Sequence, residues 1–575
     1  MKIIVAKTAG FCMGVSRAVE MALDAANVEG GNIYTYGPLI HNPQVLDLLK
    51  EKGVKPITKI PNKGRGTVII RAHGVPPEAR TALEKAGFNV IDATCPRVIR
   101  VQTIIRKHTE KGYETIIIGN HDHPEVIGLM GFSYNKGHVV NTISDLNALP
   151  KYEKAIIVAQ TTQNTNFFTD VKAWAAENAP HYKVFDTICD STERRQNEVM
   201  EMARKVDAFL VVGGQTSGNT KRLAEIAEES GKPAFHVESE KEIENLDLEK
   251  FKTIAITAGA STPNWVLNKV KKTIEATSMK GKNSALTVFL NIRKLLLLTN
   301  IYVAAGAFFL CIAATRLQKL DPNIYYSMIA FLYVLSMHII NHLTGRKADR
   351  YNDPERSAFY DKHRLPLAIL SVLSGASGLY ISYMVGLAPF LLLLFMSITG
   401  LMYNITLIPS NFKFINYRRI RDVPGSKTLL IALAWGIVTS LFAPISEKGK
   451  IDAAAVIVFL WSAGIVFVRT AFFDILDIQG DRIVGKNTIP ILIGEKKAQK
   501  LLKKVLIMLF FIPPAACAAG YLSPLAFLLG LSPALIYIIL SAHESGYMTP
   551  GLGLEFLIET QFVLAGLMTI LTFYI

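Results

Sequence analysis

Five cysteines in 575 residues are too few and too scattered for a disulfide framework. No two of them form a CxxC pair, so a local zinc knuckle is excluded. The chain also lacks a GxGxxG run, because the Gly213-Gly214 pair does not have that spacing, and no bound dinucleotide is expected. A net charge of +15 comes without any basic-aromatic motif, so no nucleic-acid partner is expected. Nor does the start look like a secretory signal: Met1 leads straight into Ile3-Ile4-Val5-Ala6, which reads as a first buried strand. The first half is therefore expected to stay in the cytosol.

What the chain does contain changes in kind partway along. Its length exceeds the roughly 250 to 300 residues at which one hydrophobic core stops growing, so more than one domain is expected. Residues 1–280 mix charges, glycines and short apolar runs, as a soluble α/β protein does. Beyond a basic linker at 281–294, residues 295–575 are dominated by nearly uncharged stretches. These run over Leu295 to Thr315, Ile324 to Ile340, Leu367 to Tyr383, Phe390 to Ile408, Leu429 to Phe442, Ala453 to Val468, Val505 to Ala519, Ala526 to Ile539 and Phe556 to Tyr574. Several approach the ~20 residues that span a bilayer, which predicts an all-α polytopic membrane domain of about nine helices. Lys280, Lys282, Arg293 and Lys294 precede the first span. Counting alternately from there, the basic loops Arg346 to Arg364, Lys413 to Lys427 and Arg482 to Lys504 fall on the same side. The positive-inside rule then places the first domain in the cytoplasm and the second in the inner or plasma membrane, and the excess positive charge reads as topology. Cys311 and Cys517 lie in apolar spans and are expected to pack as small hydrophobes.

The remaining cysteines each follow a strand-like run and open a loop or helix. They occur as Gly10-Phe11-Cys12-Met13-Gly14-Val15, Asp92-Ala93-Thr94-Cys95-Pro96 and Asp186-Thr187-Ile188-Cys189. Three thiolates from three strand ends could hold a [4Fe-4S] cluster with one iron left open to a substrate oxygen. From spacing alone, three unrelated buried thiols are the simpler reading.

The surrounding motifs decide otherwise. In order along the chain stand Gly37-Pro38-Leu39-Ile40-His41-Asn42, Arg71-Ala72-His73-Gly74, His123-Pro124-Glu125-Val126-Ile127-Gly128, Gln160-Thr161-Thr162-Gln163, Ser217-Gly218-Asn219-Thr220 and Thr257-Ala258-Gly259-Ala260-Ser261-Thr262-Pro263. With the cysteine motifs, this series resembles the LytB/IspH family of 4-hydroxy-3-methylbut-2-enyl diphosphate reductases from Lys2 to about Thr277. The resemblance implies three α/β subdomains around a [4Fe-4S] cluster on Cys12, Cys95 and Cys189. It assigns the substrate diphosphate to His41, His73, His123, Ser217, Gly218, Asn219 and Ser261, and proton delivery to Glu125 with Thr161 as a hydroxyl relay. The implied reaction removes the substrate hydroxyl as water and yields isopentenyl and dimethylallyl diphosphate, with electrons from an external ferredoxin or flavodoxin. Ser217 to Thr220 falls between an apolar strand and a helix, where donors at a helix start suit an anion and a plain N-cap is the alternative. Many family members carry a second serine at the position of Gly218, so one side-chain donor is missing here.

In the second half, Phe473-Asp474-Ile475-Leu476-Asp477-Ile478-Gln479-Gly480-Asp481-Arg482 places Asp474, Asp477 and Asp481 at i, i+3 and i+7. On a continuous helix these share one face and could hold Mg2+ against a diphosphate. The segment resembles the second metal motif of the UbiA superfamily of membrane prenyltransferases. The superfamily's first motif falls on Asn341 to Asp349, with His342 and Gly345 at two carboxylate positions and only Asn341 and Asp349 retained. That departure predicts weak binding of the first metal unless Asp353 is recruited. Two readings follow: a membrane domain that transfers a prenyl group to a lipid-soluble acceptor, or a noncatalytic scaffold tethering the reductase.

Overall fold

The computed structural model describes residues 1–28, 31–279, 285–403, 420, 423–548 and 550–572. The chain divides into two compact units, Met1–Gly281 and Lys282–Ile575.

The first unit contains three four-stranded parallel sheets. In the first, the order is Lys2–Val5, Thr253–Ala258, Ala208–Val212, Ala234–Val237, so the opening strand pairs with the last, Lys2 opposite Thr253. The second runs Val54–Ile57, Ile33–Tyr36, Thr67–Ile70, Asn89–Asp92, and the third Gly137–Val140, Glu114–Ile118, Ala155–Ala159, Lys183–Val184. Every ladder is parallel. Central strands such as Ala155–Ala159 and Ala208–Val212 are buried at every residue, as continuous apolar runs must be when helices cover both faces of a parallel sheet. In open sheets of this kind the carboxyl ends of the strands are where ligands collect.

The second unit is helical. Among the described residues, seven helices are long and apolar enough to cross a membrane: Ile324–Thr344, Arg364–Val385, Ser426–Lys448, Ala453–Leu476, Glu495–Ala518, Leu525–Glu544 and Leu552–Leu571. A further pair, Val288–Leu298 and Ile301–Leu317, qualifies only jointly and is bent by 76°, which gives up to eight. The segment expected from Phe390 forms the helix Leu387–Met402, whose 16 residues fall short of a span; the expected end at Ile408 lies outside the described residues. The same holds for most of the basic loop from Lys413, up to Val423. Part of the stretch expected as a linker, 281–294, is instead the start of the helix Ala285–Leu298, because its apolar residues recur at helical spacing. Cys311 is fully buried in the core of this unit and Cys517 packs against it, as small hydrophobes do.

Candidate functional sites

In the first unit, each site residue sits just beyond the carboxyl end of a parallel strand. His41 follows Ile33–Tyr36, His73 follows Thr67–Ile70, and Cys95 follows Asn89–Asp92. His123 follows Glu114–Ile118, Thr161 follows Ala155–Ala159, Ser217 follows Ala208–Val212, and Ser261 follows Thr253–Ala258. Cys12 immediately precedes the helix Met13–Val28, while Cys95 and Cys189 are the N-caps of Pro96–Thr109 and Asp190–Ala203. The structure brings Cys12, Cys95, Cys189, His41, His73, His123, Glu125, Thr161, Ser217, Gly218, Asn219 and Ser261 to one cavity.

The three thiols are free and half-buried. Burial pushes the Cys95 and Cys189 thiols up, and each is raised further by another of the three. Three convergent thiols form a soft-donor site that a metal would ionise. Gly14 shows how close the approach is: a Cβ there would lie 2.4 Å from the Cys95 Sγ. This donor set fits an iron-sulfur cluster with three protein ligands.

The histidines form a second group. Ring centroids are 4.8 Å apart for His41 and His73, 5.5 Å for His73 and His123, and 5.9 Å for His41 and His123. One nitrogen from each lies within 4.8 Å of the others, a spacing that also suits a metal. The His123 ring speaks for an anion: its Nδ1 accepts the Glu125 backbone N–H at 3.2 Å, so in the neutral ring the proton sits on Nε2. Burial lowers the pKa of all three, with Arg71 contributing at each, and brings His123 down to about 4. At neutral pH they are thus uncharged N–H donors. Asn219 Nδ2 and His73 Nδ1 are buried with no hydrogen-bond partner, which leaves polar capacity for a ligand. Ser217 caps Gly218–Glu229 by accepting the Thr220 N–H at 3.4 Å, which leaves its own proton available for a ligand. Ser261 Oγ donates to the His41 carbonyl at 3.0 Å and holds that loop.

Glu125 is 2% exposed. One carboxylate oxygen accepts the Thr161 N–H at 2.7 Å and the other the Thr161 hydroxyl at 2.9 Å. Burial outweighs these two bonds, and the pKa is pushed up to about 7. The carboxyl thereby stands where a proton donor for neutral pH should stand.

The membrane unit has a cavity of about 780 Å³ lined by Asn341, His342, Asp349, Asp353, Asp474 and Asp477, among others. The expected single helical face for the aspartates is not what forms. The long helix ends at Leu476, Asp477 caps it with φ −93° and ψ 1°, and a new short helix begins at Ile478. Gly480 abuts Asn352 at that break, and Asn352 donates to Asp481 at 3.2 Å. Lys427 lies 3.6 Å from Asp474, and Lys486 lies 3.0 Å from Asp481. At the first motif, His342 Nδ1 is 3.0 Å from Asp349 Oδ2, and Arg356 Nη1 is 3.4 Å from His342 Nε2. Asp353 caps Pro354–Lys362 and meets Arg356 at 3.4 Å, so its recruitment to a metal is replaced by these bonds. For Mg2+ the two motifs therefore differ. Around Asp474, Asp477 and Asp481 three carboxylates face two lysines, and Asp481 Oδ2 is buried without a partner. At the first motif Asp349 is already met by His342 and Asp353 by Arg356, which leaves fewer free carboxylate oxygens for a metal than the second motif has.

Sequence reasoning passed over several of these groups. Arg469 pairs with Glu559 at 2.5 Å and Arg356 with Glu555 at 2.7 Å, both deep in the unit. A charge inside an apolar run was the available sign for the first pair. Lys427 was read only as loop charge.

Comparison with known proteins agrees with this division. Residues 3–275 match the LytB protein family, and residues 300–550 match the UbiA prenyltransferase family. The 4-hydroxy-3-methylbut-2-enyl diphosphate reductase of Aquifex aeolicus is 44% identical over 276 residues, 48% of this chain and 96% of that protein. A solved (E)-4-hydroxy-3-methyl-but-2-enyl diphosphate reductase is 43% identical over 48% of this chain and 100% of its own, with a TM-score of 0.39. A UbiA homolog from Archaeoglobus fulgidus, solved with GPP and Mg2+, is 15% identical over 48% of this chain and 99% of its own, with a TM-score of 0.35.

Proposed function

The chain belongs, through residues 3–275, to the family of 4-hydroxy-3-methylbut-2-enyl diphosphate reductases and is an enzyme of that class, and from this premise we propose how its residues divide the work. The observation that carries the proposal is the convergence of three free thiols, three neutral imidazoles and one buried acid on a single cavity. Replacing a carbon-bound hydroxyl by hydrogen takes two electrons and two protons and releases water. Cys12, Cys95 and Cys189 would hold a [4Fe-4S] cluster, which when bound would supply the electrons one at a time and an iron open to substrate. An external ferredoxin or flavodoxin is the proposed donor.

His41, His73, His123, Ser217 and Asn219 hold the diphosphate through N–H and O–H donors, with the Gly218 N–H at the helix start adding another and Ser261 joining them when its hydroxyl turns from the His41 carbonyl to the ligand. Fixing that end orients the hydroxyl end of a five-carbon substrate toward Glu125. Glu125 gives its proton to the departing hydroxyl oxygen, and Thr161 holds the carboxyl in place and relays a proton from solvent back to it. A second proton completes the new C–H bond and yields isopentenyl or dimethylallyl diphosphate. The test is conversion of 4-hydroxy-3-methylbut-2-enyl diphosphate by the full chain with a low-potential reductant under anaerobic conditions.

Gly218 offers a finer check. A Cβ there would lie 3.6 Å from His123 Nε2, an ordinary contact, so serine fits without strain. Gly218→Ser is expected to lower KM for the substrate roughly three- to tenfold by one added hydrogen bond. A higher KM would mean that the diphosphate needs the bare backbone.

For the membrane half, a UbiA-family domain, the proposed role is transfer of a prenyl group from a diphosphate donor to a lipid-soluble acceptor. Asp474, Asp477 and Asp481 are the residues proposed to hold Mg2+, with Lys427 and Lys486 beside the diphosphate. The occupied first motif favours the other reading, a scaffold that keeps the reductase at the membrane.

A further inference from the structure

We infer that Arg195 is a positioning residue of the reductase centre, a fixed buried counter-charge for Cys12 and Cys189 that raises the reduction potential of the cluster they hold. The inference rests on the proposed reductase site.

Arg195 is 3% exposed and lies on Asp190–Ala203, the helix that Cys189 opens. Its Nη1 donates to the Ala258 carbonyl at 3.1 Å and its Nη2 to the Gly10 carbonyl at 2.8 Å. Gly10, at φ 113°, stands two residues before Cys12, whose own N–H donates to the Ala260 carbonyl at 3.1 Å. One guanidinium therefore ties the Cys189 helix to the Cys12 loop and to the end of Thr253–Ala258.

Those bonds do not neutralise the charge. Two carbonyls accept from the fork, and Nε is buried with no partner. Glu198, one turn further along the helix, is taken up elsewhere: its oxygens accept the Lys7 and Thr8 N–H groups at 2.6 and 2.9 Å and the Thr8 hydroxyl at 2.5 Å. Among the described residues, no carboxylate stands within ion-pair distance of Arg195. A guanidinium buried with no carboxylate in ion-pair contact is expensive to keep, and arginine does not shed its proton to escape the cost. The acidic groups that bear on it are Cys12, Glu198 and Cys189, in that order. As thiols, the two cysteines carry no charge; as metal ligands they are thiolates. The buried cation is thus matched when the cluster is in place.

Reduction then follows from charge. One electron from an external low-potential carrier adds one negative charge to the cluster and its thiolates. A permanent cation bonded to the Cys12 loop and carried on the Cys189 helix would stabilise that reduced state more than the oxidised one, since net charge near a cluster is among the factors that set its potential. Arg97 also lines the cavity and bears on Cys189, but it pairs with Asp190 and both are substantially exposed, so its charge is compensated and screened by solvent.

The test uses the full chain purified anaerobically in detergent, comparing wild type with Arg195→Gln and Arg195→Lys. The readouts are iron and sulfide content and a redox titration followed by electron paramagnetic resonance. The glutamine variant is expected to shift the cluster's reduced-to-oxidised ratio at fixed potential about tenfold toward oxidised, ~59 mV for one electron. Lysine, which keeps the charge but not the fork, is expected to recover most of that shift, and KM for the substrate is expected to stay put in both. Loss of iron with glutamine but not with lysine also supports a charge role. An unchanged potential in a fully loaded glutamine variant overturns the inference, as do equal shifts or equal iron loss in both variants, which would assign Arg195 to hydrogen bonding alone. Wild type without iron and sulfide would remove the reductase reading itself, a failure visible before any variant is compared.

Discussion

Glu125→Gln is expected to lower turnover about 100- to 10,000-fold, the usual worth of a positioned general acid, while iron content and substrate KM remain close to wild type. Glutamine can keep the geometry: its carbonyl oxygen can accept the Thr161 N–H that the carboxylate now accepts at 2.7 Å, and its amide can donate to the Thr161 hydroxyl. Only the proton is lost. The pH profile provides an independent reading of the same group. Burial raises the Glu125 pKa to about 7, so the protonated, competent form predominates below that pH and is depleted above it. Wild-type turnover at saturating substrate is expected to fall as pH rises through about 7, and the glutamine variant's residual rate to lack that limb. A variant turning over at the wild-type rate would take the acid's role away from Glu125.

Asp477→Ala and Asp481→Ala are expected to abolish Mg2+-dependent prenyl transfer and to leave the reductase untouched. Asp477 lines the cavity at the break between two helices, and Asp481 is 1% exposed with one oxygen lacking a partner. Removing either carboxylate leaves one acid fewer against Lys427 and Lys486, and the balance that invites a divalent cation is gone. Membranes carrying the full chain, supplied with labelled prenyl diphosphates and lipid-soluble aromatic acceptors, provide the measurement. His342→Asp is the informative control, because His342 is the residue that occupies Asp349. Gly345→Asp is a poorer one, since a Cβ there would lie 2.8 Å from the Asn341 carbonyl. Transfer by wild type, lost in the alanine variants, is the expected result. Transfer by His342→Asp alone would make the natural domain a scaffold.

What the sequence revealed follows from which physical rules are local. Buried parallel strands such as Ala155–Ala159 and Ala208–Val212 announce themselves as uninterrupted apolar runs, and the helix starts after Cys95 and His123 are marked by Pro96 and Pro124. Which strand ends meet is not local, because nothing near Lys2 states that it pairs with Thr253. There the family resemblance supplied what periodicity could not. In the membrane half, the spacing of Asp474, Asp477 and Asp481 assumed one continuous helix, whereas the helix breaks at Asp477 and the following turn packs against Asn352, a contact distant in sequence. The pairing of His342 with Asp349 crosses the helix end at Gly345 and has no counterpart in simple spacing. Arg195 escaped notice beside Arg194 in a helix rich in charge. Its sign was there all the same, since Thr192, Arg195, Gln196, Val199, Met202 and Ala203 recur at helical spacing and form the buried face.

The central claim is that this cavity joins an iron-sulfur centre on three cysteines to an acid and a diphosphate cradle. Its most direct test is the full chain purified without oxygen, assayed for iron and sulfide and then given 4-hydroxy-3-methylbut-2-enyl diphosphate with a low-potential reductant. The account predicts a brown protein with iron and sulfide in equal amounts that converts the substrate to isopentenyl and dimethylallyl diphosphate. A reconstituted protein that holds zinc and no iron, or one that carries the cluster and leaves the substrate unchanged, would contradict it.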